Sequence, residues 1–572
     1  MKFFTKKIYI ILFLLSILLI EPKVFAKDSK IQYTSKNISN YFSGIISINH
    51  SHNNKAIKYL KKVESLKNKH TQFNIEFIRT LIQLGKFEKA LAFSKEVWIE
   101  GELFFEADLL LGLNSFLKRD YIMAQKYFER LNKISRYNLF FDSFVGNTLI
   151  AWSRASQGDK EGSFKFLEKV PKSYGNLKKI QNVFLQCYFG DSEIQKSFED
   201  LISDKDYNFS RYNFFLINYL LHENNTIKAK KIIESSRKKY NSNLLIEQTE
   251  NFFLNNENEK IKSFFNCKNQ IDSLAEFFYV MANLYSGEKD YQLSNFYLKI
   301  SLFLNKKFLP NKALLAENYY YQEKDELSEN IYRSLKSIGP VYSWYASKNI
   351  ARILLNEKGK KHSIKNLEDE FKLLSNPNFQ HHYELANFYK DNEYYEKSIR
   401  HYSLALKEIK KDHFLVSKIL DRRGTSFEKL GDWENAEKDL MESLKILPDQ
   451  AHVINYLAYT WVDKGINLDK ALEMLKKATK LKENDPYIID SLGWAYYSKK
   501  KYTEAEFYLQ KAVELLPLDP IINDHYADTL WMLNKNIQAR YLWNYVLKLS
   551  NTEQKLKDNI NKKLIFGITK KL

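Results

Sequence analysis

The sequence predicts an all-α fold, a right-handed solenoid in which helical hairpins stack into a superhelix. Two observations predict it. The 572 residues include only 17 glycines and 9 prolines, while 44% of the chain is hydrophobic. Helix breakers are therefore scarce, and there is enough apolar surface to build a core. In addition, small residues recur at 34-residue steps with large apolar residues between them, which is the period of a stacked two-helix unit.

The clearest unit starts at Pro486. It carries Leu492, Gly493 and Tyr496 on its first helix, Ala505 and Ala512 on its second, and Pro517 after it. The next starts at Pro520 and repeats the pattern with Ala527, Leu530, Ala539 and Trp543. Preceding units start at Ala451 (Ala458, Trp461, Ala471, Ala478) and Ser417 (Gly424, Phe427, Ala436, Leu440, Pro448). Glycine or alanine is needed where the two helices of a hairpin pass closest. The second small residue meets the first across that crossing, and the third faces the next unit. Proline lacks an amide donor and helps to end the second helix. Gly493 therefore reads as a packing residue rather than part of a reactive site.

Weaker units extend toward the N-terminus. Ala386, Tyr389, Ser398 and Ala405 mark one; Ala316, Tyr319, Ser328 and Tyr332 another; Ala282, Tyr285, Ser294 and Leu298 a third. Gly44 with Ala56, Ile78 with Ala90, and Gly112 with Ala124 keep the same step, whereas between 144 and 274 the phase is loose. The expected organisation is degenerate repeats over 27–274, regular repeats over 275–550 and a capping helix over 551–572. In that cap Leu556, Ile560 and Leu564 cover the last hairpin, with Lys555, Lys557, Lys562 and Lys563 outward.

Residues 1–26 read as a signal peptide. Lys2, Lys6 and Lys7 precede an uncharged run from Ile8 to Ile20, and Val24-Phe25-Ala26 fits cleavage after Ala26. The run is short for a membrane span, so the expected location is periplasmic or otherwise exported. Membrane association would be peripheral or through an uncleaved N-terminus. Export permits a disulfide between Cys187 and Cys267, but their separation and placement on different helices give it no geometric support. They are expected as small buried apolar residues.

The net charge of +19 comes from lysine spread along the whole chain. That reads as solvated helix faces, and no recognition motif points to nucleic acid. There is no HExxH, no GxSxG, no phosphate-binding loop and no cysteine pair at metal spacing, so neither catalytic residue, metal nor cofactor is expected. His382 falls on a packing position. Asp432, Glu434, Glu437 and Asp439 fall at a turn and the exposed start of a second helix, where they suit its positive end.

The phased pattern resembles the tetratricopeptide repeat (TPR). That resemblance implies a non-enzymatic scaffold whose first helices line a concave face for a protein or peptide partner. Carried onto these units, the face comprises Lys418, Asp421 and Arg422; His452, Asn455, Tyr456 and Tyr459; Tyr487, Asp490, Trp494 and Tyr497; and Asp524, His525, Asp528 and Trp531. The dicarboxylate clamp of cytosolic chaperone adaptors is broken here, with Arg352 and Glu384 where it needs asparagine. Residues 417–548, including "DPYIIDSLGWAYY" and "PIINDHYADTLWMLNKNIQARYLW", are similar to the C-terminal repeats of an exported proteobacterial TPR family. Its members include the lipoprotein partner of a periplasmic carboxyl-terminal processing protease. The implied partner is such a protease with its cell-wall hydrolase substrates; the alternatives are an adaptor in envelope or polysaccharide assembly and an enzyme with a cryptic site. The lipid-anchor cysteine of that lipoprotein is absent.

Overall fold

The computed structural model describes residues 34–134, 143–239 and 243–568; the segment read as a signal peptide lies outside them. Helices follow one another in tandem pairs, with no strand among the described residues. No described helix is long and apolar enough to cross a membrane. The chain divides into two units between Ile350 and Ala351.

The hairpin of Pro486–Ser498 and Tyr502–Leu515 shows how the local sequence builds the repeat. Asp485 caps the first helix by accepting from the amides of Tyr487 and Ile488. Lys500, at φ 60°, reverses the chain. Ala505 and Ala512 are fully buried. A Cβ added to Gly493 would sit 2.6 Å from Leu509 Cγ and 3.2 Å from the Leu509 backbone nitrogen, so the absent side chain is what lets the helices approach. Gly424 is likewise pressed against Ala436 and Leu440, and Ala436, Ala458, Ala471, Ala527 and Ala539 are fully buried. Gly493→Ala is expected to lower the melting temperature. Overpacking costs about 1–3 kcal/mol, against about 1 kcal/mol returned by helix propensity. Thermal denaturation checks this.

At Ser294, Ser328 and Ser363, serine in place of alanine on the second helix adds a rung across the hairpin. Ser294 Oγ donates to the Ala282 carbonyl at 2.7 Å, and Ser328 Oγ to the Ala316 carbonyl at 2.8 Å. Ser363 Oγ repeats the bond to Ala351. These hydroxyls are fully buried and paired, so the substitution keeps the close approach without stranding a polar atom.

The first unit keeps its hairpins through the stretch where the sequence phase fades. Phe144–Ser156 pairs with Lys160–Glu168, Gly175–Phe189 with Ile194–Ile202, Tyr212–His222 with Thr226–Lys239, and Leu244–Leu254 with Asn258–Phe264. Their starting points drift off the 34-residue step, and that drift is what blurs the repeat. The unit then closes on itself. Phe87 stacks on Phe303 at 4.2 Å between ring centroids. Gln83 Nε2 donates to the Gln292 carbonyl at 3.1 Å, and Phe144 packs on Phe277. The inner face of these early repeats is thus covered by the helices Gln270–Gly287 and Tyr291–Leu304 of the same unit.

That closure corrects the reading of the cysteines. Cys187, on the helix Gly175–Phe189, and Cys267, on the turn before Gln270, are bonded as a disulfide with Cα atoms 5.8 Å apart. They are buried, as expected, but paired. Their separation along the chain hides a proximity that only the closed unit creates.

In the second unit the hairpins Phe379–Asp391/Tyr395–Glu408, Leu415–Lys429/Trp433–Ile446, Ala451–Asp463/Leu468–Leu481, Pro486–Ser498/Tyr502–Leu515 and Pro520–Met532/Asn536–Lys548 stack in order, followed by the helix Gln554–Phe566. Gly359, at φ 78°, breaks the long segment Pro340–Lys372 into two helices.

Candidate partner-binding groove

The first helices of four successive hairpins in the second unit, Phe379–Asp391, Leu415–Lys429, Ala451–Asp463 and Pro486–Ser498, contribute to one open groove of about 940 Å³. Seven predicted residues line it: Lys418, Asp421, Arg422, His452, Asn455, Tyr456 and Tyr487. Several are held in place by neighbours. Tyr456 Oη donates to Glu428 at 2.6 Å, Arg422 Nη1 donates to Asn387 Oδ1 at 3.1 Å, and His452 Nε2 lies 3.4 Å from Asp421. Burial and the bond to Glu428 push the Tyr456 hydroxyl well above its ordinary pKa. It therefore stays protonated and keeps donating.

The groove also contains residues that the helical-position pattern passes over. Phe414 and Leu447, like the predicted Tyr487, are more than half exposed and share the lining with Gln450 and Asp485. Phe414 and Leu447 stand at the junctions between units, immediately before a first helix and after a second helix. The sequence signal was available there: a large apolar residue in a loop, where packing does not require one. Exposed aromatics beside charges of both signs can hold the backbone and side chains of a peptide.

The remaining predicted residues do not face this groove. Asp490, Trp494, Tyr497, Asp524, His525, Asp528 and Trp531 line the inner face of the last two hairpins, where the helix Gln554–Phe566 covers the part formed by Asp524, Asp528 and Trp531. Lys563, expected to point outward, instead places Nζ within 2.7–2.9 Å of all four carboxylate oxygens of Asp524 and Asp528. Trp543 Nε1 donates to Asp528 at 3.0 Å, His525 Nδ1 lies 3.0 Å from Asp490, and Trp494 stacks on His525 at 4.0 Å. Burial pushes the Asp528 carboxyl up to about 6. Tyr459 is half-buried, with its ring 6.5 Å from His525. Two of the four carboxylates placed at an exposed helix start are also structural. Asp439 is buried against Arg423 at 2.7 Å, and Glu437 accepts from Trp461 Nε1 at 2.6 Å. Asp432 caps its helix by accepting from the amide of Asn435.

His382 and His401 form a packed pair. His382 Nδ1 lies 3.0 Å from His401 Nδ1 under Phe371, and burial brings His401 down to about 4. This is a neutral, packed pair, and among the described residues no group of three or more His, Cys, Asp or Glu side chains has an arrangement that could hold a metal ion.

Residues 486–519 match the tetratricopeptide repeat family. A TPR repeat-containing protein of Pseudomonas aeruginosa is 34% identical over 132 residues, covering 23% of this chain and 22% of that protein's length. Among solved structures, MamA from Desulfovibrio magneticus aligns with 32% of this chain and 99% of its own at 16% identity and a TM-score of 0.28. Yeast Tom70 aligns with 80% of this chain and 94% of its own at 15% identity and a TM-score of 0.33.

Proposed function

We propose that this protein, built on the TPR fold that mediates protein–protein interaction, is a non-enzymatic exported scaffold holding a peptide segment of a protein partner in the groove between 414 and 488. The observation that carries this reading is the groove itself. Four successive hairpins contribute to it, and Phe414, Leu447 and Tyr487 on its lining are more than half exposed, apolar surface of the kind that marks a protein interaction site. The buried disulfide supports export, because such bonds persist in oxidising compartments. The partner that the family resemblance points to is a periplasmic carboxyl-terminal processing protease, brought together with its cell-wall hydrolase substrates.

The test is recovery of that protease from envelope extract by tagged protein beginning at Lys27. Phe414→Ala with Tyr487→Ala is expected to weaken its binding by about tenfold or more, the usual scale for losing two aromatic anchors. The melting temperature should stay within a degree or two, because both rings are exposed. Recovery of envelope-assembly proteins in place of the protease would redirect the scaffold to that machinery. Equal binding by the double variant would remove the groove from the mechanism.

A further inference from the structure

We propose that the inner face of the last two hairpins is a second docking surface, now occupied in cis by the helix Gln554–Phe566, and that it accepts in trans a basic amphipathic helix of the same pattern.

The seat is chemically specific. Asp524 and Asp528 surround one ammonium group with four oxygens. A third carboxylate, Asp490, engages His525 behind them. Packed purely for stability, such a face would be expected to be apolar, because buried like charges oppose one another and lose their water. What the face provides is a socket for a lysine with an apolar wall beside it. The occupant supplies both parts: Lys563 enters the socket, while Leu556, Ile560 and Leu564 pack on Trp531 and its neighbours. Gly567, at φ 70°, ends the helix where a Cβ would lie 2.2 Å from the Trp531 ring. The helix therefore reads as a ligand whose side-chain pattern the site selects.

The occupant is also held more lightly than the helices beneath it. Of its thirteen residues only Ile560 is buried, whereas nine are buried on Pro520–Met532. It leaves Ile565 and Phe566 about 70% exposed at its end. The covered face is continuous with the open groove. The helix Pro486–Ser498 gives Tyr487 to the groove and Asp490 and Trp494 to the inner face of the last two hairpins. A partner helix continuing past the groove would meet the tail and compete with it.

The experiment uses the full chain and a fluorescent peptide of residues 554–566. Lys563→Ala in the chain weakens the cis occupant, so the peptide is expected to bind this variant about tenfold more tightly than the unaltered chain. The same peptide carrying Lys563→Ala should lose about tenfold on the same protein. Hydrogen exchange on the unaltered chain should show 554–566 opening before 520–548. Peptide binding to neither chain overturns the proposal. So does exchange in which 554–566 opens only together with 520–548, a result that stays informative even if the variant folds poorly.

Discussion

Glu276→Ala is expected to destabilise the first unit by about 3–5 kcal/mol, the scale for removing one partner of a buried ion pair. Glu276 is fully buried on the helix Gln270–Gly287. Both of its oxygens are taken up by the Arg211 guanidinium, whose Nη1 donates at 3.0 Å, and by the Tyr212 hydroxyl at 3.0 Å. Arg211 is itself framed by the rings of Tyr212, Phe215 and Tyr279. Removing the carboxylate strands that cation among aromatic faces that cannot replace it. Burial works against the Arg211 charge, but Glu276 together with the hydroxyls of Tyr212 and Tyr279 holds the guanidinium above its ordinary pKa. Urea denaturation should show the lowered midpoint. Arg211→Met together with Glu276→Leu should recover most of the loss, because removing both charges also removes the desolvation cost. A single variant with an unchanged midpoint would mean that the pair does not tie the helix Gln270–Gly287 to the helix at 212.

The same residues show why the hairpins were legible in the sequence and the closure was not. Gly493, Ala505 and Ala512 announce a hairpin because its two helices are neighbours along the chain, and backbone approach forces small residues at fixed offsets. Ser294 and Ser328 could be aligned for the same reason. Nothing comparable marks Arg211 and Glu276, or Phe87 and Phe303. Those pairs are set by how far many small rotations between repeats accumulate, a quantity that no single residue encodes. The lining of the open groove was legible in part. Helical positions placed Asp421, Asn455 and Tyr456 on the side that lines it, because register decides which side of a helix faces the groove. Register does not reveal what lies on top of that side. Lys563 looked like its solvated neighbours Lys555 and Lys562, although three aspartates at inner-face positions 490, 524 and 528 were a visible demand for a cation.

Loss of the disulfide is the other large effect expected. Cys187 and Cys267 are 80 residues apart in sequence. Closing a loop of that length removes unfolded-chain entropy worth about 4.5 kcal/mol by the chain-entropy relation, with about 2–5 kcal/mol usual for native bonds. Cys187→Ser with Cys267→Ser should therefore destabilise the first unit by a comparable amount, read as a lowered urea midpoint. Reductant should lower the unaltered chain to the same value once unfolding exposes the bond, since both sulfurs are buried, and it should leave the double variant unchanged. The bond ties the helix Gly175–Phe189 to the turn that launches Gln270–Gly287, the helix carrying Glu276. The disulfide and the ion pair thus fix the same helix from two sides, so their losses should not add. Combining Glu276→Ala with the double serine variant should cost measurably more or less than the sum, because the two constraints share one element. Strict additivity would mean that the closure is held at independent points, and an unchanged midpoint in the double serine variant would mean that the cysteines are not bonded in the folded protein.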